Sequence, residues 1–173
     1  RAGTISIDPD LMIKLRDNVC REAARNGLKK VVLVNSHRGN HGLLALFNIL
    51  PLYAPRDYVI YIVNPTRVLF DRVDVPWERA TEGHAGPGET SLILKVRPDL
   101  VHMDTVLDDE GKALGRLKTL PEAGVRTGIW WYADYPAHYQ GEARTATADA
   151  GDRIFDAFAE MVAKAVRAIK ADT

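Results

Sequence analysis

Among the side chains able to move protons or hold an ion, three stand among suitable neighbours: His37, His84 and Glu89. His37 lies in "VVLVNSHRGNHG", residues 31–42, where four apolar residues run straight into Asn, Ser, two His, Arg and two Gly. Ligands of open α/β sheets bind beyond the carboxyl ends of the strands, so a strand ending this way presents its polar cluster to a cleft. Asn35, Ser36 and His37 sit at that end, and the glycines after them let backbone approach a ligand closely. His41 follows His37 with the spacing of the HExxH zinc helix, but Arg38, Gly39 and Asn40 lie between them. Without the general-base Glu, and with a Gly opposing a regular helix, His41 reads as a structural or supporting residue.

A second cluster is "TEGHAGPGETS", residues 81–91, with Glu82, His84 and Glu89 just ahead of a helical stretch. A Gly-rich loop feeding a helix N-terminus can cradle phosphate. Here, however, Glu89 stands where the phosphate-binding lysine of a P-loop belongs, and a carboxylate there repels phosphate. A histidine and a carboxylate in a flexible loop better suit a divalent metal and the water it activates. The structural alternative makes Glu89 a first-turn carboxylate favoured by the helix dipole. The third cluster, "GIWWYADYPAHYQGEAR" at 128–144, interleaves Trp130, Trp131, Tyr132 and further aromatics with Asp134, His138, Gln140 and Arg144. A core strand would not tolerate that mixture, so the segment reads as a pocket wall or an oligomer interface. Trp77, His102 and Asp104 read as structural or surface residues, and nothing near Cys20 suggests an activated thiolate.

These clusters need elements to position them. Residues 8–26 predict an amphipathic helix with Leu11, Leu15, Val19 and Ala23 as its apolar stripe, capped by Asp8 or Asp10 and stopped by Gly27. "KKVVLVNSH" predicts a short buried strand. "LLALFNIL" predicts a helix closed by Pro51, and "DYVIYIVNP" (57–65) a second strand. Residues 66–87 are irregular, "GETSLILKV" starts a helix that stops before Pro98, and 108–128 form a surface excursion. "GIWWYADYP" is expected to be a strand followed by a loop. From about Asp149, Ile154, Phe158, Met161, Ala165 and Ile169 recur at helical spacing. The order predicts one α/β domain over 1–173, with a central, largely parallel sheet covered by helices on both faces.

The 173 residues suit one domain with a real core. Lys plus Arg equal Asp plus Glu at 23 each, which argues against nucleic acid or an anionic membrane as the main partner. No apolar run approaches the ~20 residues of a membrane span. A single cysteine, Cys20, predicts a reducing, cytoplasmic setting.

Taken together, the clusters resemble the creatininase (creatinine amidohydrolase) family. Asn35-Ser36-His37-Arg38-Gly39-Asn40 resembles its Asn-Gly-His-Gly-Gly-Asn loop. His84-Ala85-Gly86-Pro87-Gly88-Glu89-Thr90-Ser91 resembles its His-Ala-Gly-Glu-x-Glu-Thr-Ser signature. "PDLVHMD" (98–104) and "ATADAG" (146–151) are similar to later stretches of the family, so the resemblance spans almost the whole chain. It implies an α/β fold and a metal-dependent hydrolase of C–N bonds in amides, cyclic amides or formamides. Its cofactor would be one or two Zn or Mn ions, its substrate a small molecule, and its assembly a homo-oligomer. By position, the resemblance makes His37 and Glu89 metal ligands and His84 the catalytic proton carrier. It places Arg38 against substrate, with Asn35, Trp130, Trp131 and Tyr132 shaping the pocket.

Three departures argue against creatinine itself as substrate. Pro87 replaces an acidic residue, Ser36 and Arg38 replace glycines, and Gly39 stands where creatininase has a metal-binding Glu. The family also carries an upstream Glu-x-His and a later Asp. No such segment precedes Arg1, which leads to the expectation that the chain is the carboxyl-terminal portion of a longer protein. Two other readings stand beside the hydrolase: a nucleotide- or sugar-phosphate-binding module, and a family remnant acting only in assembly.

Overall fold

A computed structural model describes residues 5–65, 72–109 and 111–173. They group into two compact units, one of residues 1–68 and 158–173, the other of residues 69–157. Of the stretch expected to be irregular, 66–87, residues 66–71 lie outside the described residues.

In the first unit the chain enters α1, Pro9–Arg25, with proline at the first helical position, where its missing N–H costs nothing. Gly27 ends the helix in the left-handed region (φ 90°). The Gly27 N–H bonds the Ala24 carbonyl and the Leu28 N–H bonds the Ala23 carbonyl, which satisfies the last turn. Strands β1, Lys30–Val34, and β2, Val59–Val63, then pair in parallel with Val31 opposite Ile60, joined through α2, His41–Ile49. These are the two strands the sequence predicts. They are half-buried rather than buried, since each has one strand neighbour among the described residues.

The packing face of α1 corrects the sequence reading. Leu11, Leu15 and Val19 are 57%, 50% and 56% exposed. The side facing inward is Arg16, Cys20 and Ala24. The small Cys20 and Ala24 let α1 approach Tyr58, Val31 and Ile60 closely, a fit that bulky leucines would prevent. Arg16, its side chain 5% exposed, lies over the Phe47 ring at 4.7 Å. Asp17 sits 3.1 Å from Arg16 and 3.0 Å from Arg56, so one carboxylate serves two guanidinium groups. On the other side of the strands, Lys30 and Tyr61 hydrogen-bond Asp172 at the chain's end.

In the second unit, α3, Pro87–Val96, again opens on proline and carries Glu89 in its first turn and Lys95 in its last, as the helix dipole favours. Two short helices follow, α4 (Thr119–Glu122) and α5 (Trp130–Asp134). The latter replaces the predicted strand. Aromatic residues favour strands in general. Here the Ala133 N–H bonds the Ile129 carbonyl and the Tyr135 N–H bonds the Trp131 carbonyl, while Trp131 packs sideways into the loops described below.

The last helix, α6, runs Ala148–Ala171 and begins in this unit. The Thr147 hydroxyl caps it by accepting the Ala150 N–H at 3.1 Å, and the Thr147 N–H bonds Ser91 Oγ at 3.0 Å. A Cβ on Gly151 would lie 2.2 Å from the Ser91 carbonyl oxygen, so only glycine lets α6 come this close to α3. The predicted stripe holds, with Ile154 fully buried and Phe158, Met161, Ala165 and Ile169 partly so.

Burial pushes the Cys20 thiol above its ordinary pKa, with the Arg16 charge opposing. Because the folded thiol holds its proton more tightly, it contributes stability at neutral pH that fades as pH rises past the ordinary thiol value. Maleimide labelling at pH 7 is therefore expected to miss Cys20 in the folded protein and to modify it after denaturation. Rapid labelling of the native state would contradict this packing.

Candidate active site

The loop after β1 is organised by one amide. Asn35, 4% exposed, continues the strand ladder through its N–H to the Val63 carbonyl at 2.8 Å. Its side-chain oxygen accepts from Asn40 Nδ2 at 2.9 Å and from the His37 N–H at 3.4 Å. Its nitrogen donates to the His37 carbonyl at 2.9 Å and to Asn64 at 3.0 Å. Asn35 thus spends its polar groups on shaping the loop. His37 projects its imidazole outward, and Nδ1 accepts the Gly39 N–H at 3.1 Å. A Cβ on residue 39 would stand 2.7 Å from the ring, so a side chain here displaces the imidazole. Gly39 in place of a ligating Glu is therefore what this His37 conformation requires. Arg38 opens a short 3₁₀ turn, and His41 begins α2 with its side chain exposed.

That hydrogen bond fixes a tautomer. With Nδ1 accepting, the neutral ring carries its proton on Nε2. A metal-bound histidine normally donates from its second nitrogen instead. Coordination by His37 therefore requires its bond to Gly39 to be exchanged.

The second unit brings two of the three sequence clusters together. The loop holding His84 is clamped against residues 140–142: the Gln140 N–H donates to the His84 carbonyl at 2.9 Å and the Glu142 N–H to the Thr81 carbonyl at 3.0 Å. This approach excludes side chains. A Cβ on Gly83 would fall 2.2 Å from the Gln140 carbonyl oxygen, and one on Gly141 (φ 111°) 2.3 Å from that of Thr81. Ala85 adopts φ 55°, a conformation rare outside glycine and one that tends to occur where structure is over-determined. Its N–H donates to Glu89 Oε2 at 2.8 Å, and its carbonyl accepts from the Thr90 hydroxyl at 3.0 Å. Buried Trp77, read from sequence as merely structural, donates its indole N–H to Glu82 at 2.6 Å and steadies the loop's entry.

His84 Nδ1 lies 3.8 Å from Glu89 Oε2, a charge contact beyond hydrogen-bond length, with both side chains roughly half exposed. Its ring meets Trp131 at 5.4 Å and 88°, an edge-to-face arrangement. Trp131 also contacts Tyr132, Tyr135 and His138, and donates its indole N–H to Gln140 Oε1 at 3.2 Å. Burial raises the Tyr135 phenol above its usual range, the Asp134 charge adds to this, and a hydrogen bond from the Gln140 amide opposes it. Of the expected pocket residues, Trp131 is the one against His84, while Trp130 and Tyr132 are largely exposed. His37 belongs to the first unit, and His84 and Glu89 to the second. Among the described residues, no three His, Cys, Asp or Glu side chains are grouped to hold a metal ion. No helix among them is long and apolar enough to cross a membrane.

The sequence profile of the creatininase family, described as creatinine amidohydrolase, matches residues 1–166. The chain belongs to the creatininase family. It is 26% identical over 180 residues to a creatinine amidohydrolase of Pseudomonas putida, a match covering 95% of this chain and 65% of that relative's length. A mutant creatininase complexed with creatine is similar in structure, with TM-score 0.67 and 25% identity over 96% of this chain and 67% of the other. A creatininase described with Mn gives TM-score 0.67 and 25% identity over 96% and 66%. The fold is shared as well with a putative creatinine amidohydrolase from Bacteroides fragilis, at TM-score 0.76 and 21% identity over 99% and 66%. The helix-rich chain with its parallel strand pair is thus creatininase-like in fold.

Gly83→Ala tests the clamp. Forcing a methyl group into this contact is expected to cost about 1–3 kcal/mol, read as a lowered melting temperature, and to change Trp131 fluorescence. A variant with wild-type melting and emission would show that the two segments are not in this contact.

Proposed function

We propose that this chain forms part of a metal-dependent amidohydrolase that cleaves an amide, cyclic amide or formamide C–N bond of a small molecule. The observation that carries the reading is the grouping of His84 and Glu89, on the loop that resembles the family signature, with Trp131 of α5. His84 is half exposed and can pass a proton to or from a ligand. Glu89 stands beside Nδ1, and its hydrogen bond from Ala85 keeps it there. In this reading water adds to the carbonyl carbon, and His84 takes its proton and passes it to the departing nitrogen, so that the amine leaves neutral as the C–N bond breaks. Trp131 supplies an apolar wall beside His84, and Arg38 is the proposed substrate contact of the β1 loop, which the buried Asn35 shapes without facing a ligand.

The metal requirement rests on the relative described with Mn. His37 of the first unit and Glu89 of the second are each proposed to bind divalent Mn or Zn. Neither alone supplies the three or four protein ligands such ions take, and His37 Nδ1 is already engaged. Proton transfer in this reading rests on the chain's own carrier, His84. The phosphate-binding alternative loses ground, because Glu89 already takes the Ala85 N–H, filling the helix N-terminus with the protein's own carboxylate.

Two measurements test the reading on the intact protein with a panel of cyclic amides and formamides. His84→Gln is expected to lower kcat about 10²–10⁴-fold with metal content unchanged. His37→Ala and Glu89→Gln are expected to lower bound Mn or Zn by elemental analysis. Full metal and full rate in all three variants would end the proposal.

A further inference from the structure

We propose that Gln140 is a positioning residue for the His84 imidazole, holding the His84 backbone with its own N–H and the ring that imidazole rests on with its side chain. For turnover this rests on the hydrolase reading above; for the placement of His84 it does not. The sequence offers Gln140 only as one polar residue among aromatics, and its position in the fold gives it this further role.

The argument begins with the indole. A partly buried Trp needs a partner for its N–H, and for Trp131 that partner is Gln140 Oε1 at 3.2 Å. Rotating the Gln140 amide would cost the indole this bond. Trp131 is thereby fixed with its ring perpendicular to His84 at 5.4 Å. A half-exposed imidazole with no such neighbour would sample several rotamers. Glu89, at 3.8 Å, is too far to lock it by a hydrogen bond. The backbone of Gln140 acts separately: its N–H bonds the His84 carbonyl, and its own carbonyl occupies the space a Gly83 side chain would need. Main chain and side chain of one residue therefore converge on His84 by different routes.

This division makes the role testable, because substituting the side chain leaves the main-chain bond in place. In the intact protein with isotope-labelled histidine, the His84 ring resonance should be displaced by the Trp131 ring current and identified by its loss in His84→Gln. Gln140→Leu is expected to return that resonance toward an ordinary histidine position. In active protein it should also lower kcat by up to about 10²-fold with KM nearly unchanged. Gln140→Glu keeps an acceptor oxygen for the indole and is expected to restore the resonance. An unmoved His84 resonance in Gln140→Leu overturns the proposal. Should that variant fail to fold, Gln140→Met, which keeps the length without the hydrogen bonds, is read the same way. The resonance is measured without substrate. Absence of turnover in the wild type would therefore defeat the hydrolase reading while the resonance still decides the role of Gln140.

Discussion

The contact between residues 81–84 and 140–142 is the constraint on which the second unit's chemistry depends. Two backbones meet there at distances that leave no room for a Cβ on either side, at Gly83 or at Gly141. Everything around His84 follows from that approach. The His84 carbonyl is tied down by Gln140, Trp131 is brought alongside, and the turn through Ala85 is forced into a left-handed conformation. The glycines of this stretch suggest flexibility when read as letters. In the folded chain they allow close approach and so make the loop stiff.

The β1 loop solves a similar problem with different means. Instead of a backbone clamp it uses one buried amide, Asn35, whose bonds to His37, Asn40 and Asn64 satisfy groups that would otherwise be costly to bury. Polar residues here were the signal for a ligand site, and part of that signal belongs to the loop's own construction. The same holds for Glu89, whose carboxylate serves the Ala85 N–H before it serves any ligand. Motif positions therefore mark where the loops are built as well as where chemistry is expected, and "ATADAG" makes the point again. Thr147 is a helix cap and Gly151 a close-packing position against Ser91.

How much was legible in the sequence depended on whether a signal was local. Both strands, the first helix, α3 and α6 follow from periodicity, proline and glycine placement, and they stand close to where those signals put them. His84 and Glu89 were legible as a pair because they share one turn of chain. Trp131 against His84 was not, since the two lie far apart in sequence and nothing in their spacing encodes the clamp. At α5 the aromatic content speaks for a strand, whereas tertiary contacts override that preference and the segment is helical. On α1, the leucines looked like the buried side because they are the larger apolar residues. The fold instead buries the side whose small residues permit contact, with a charged residue among them.

That charged residue, Arg16, has a consequence for how the sequence can drift. Its guanidinium lies over the Phe47 ring, where the compact, strongly hydrated charge of lysine would fit less well. Its carboxylate neighbour, Asp17, is shared with Arg56. Exchanging Asp17 for a neutral residue would leave two like charges facing each other with little water to shield them, whereas removing one arginine would leave a balanced pair without its second partner. Positions 16, 17 and 56 are thus expected to co-vary among close homologues: retained as a set, or traded together for an apolar cluster of similar volume.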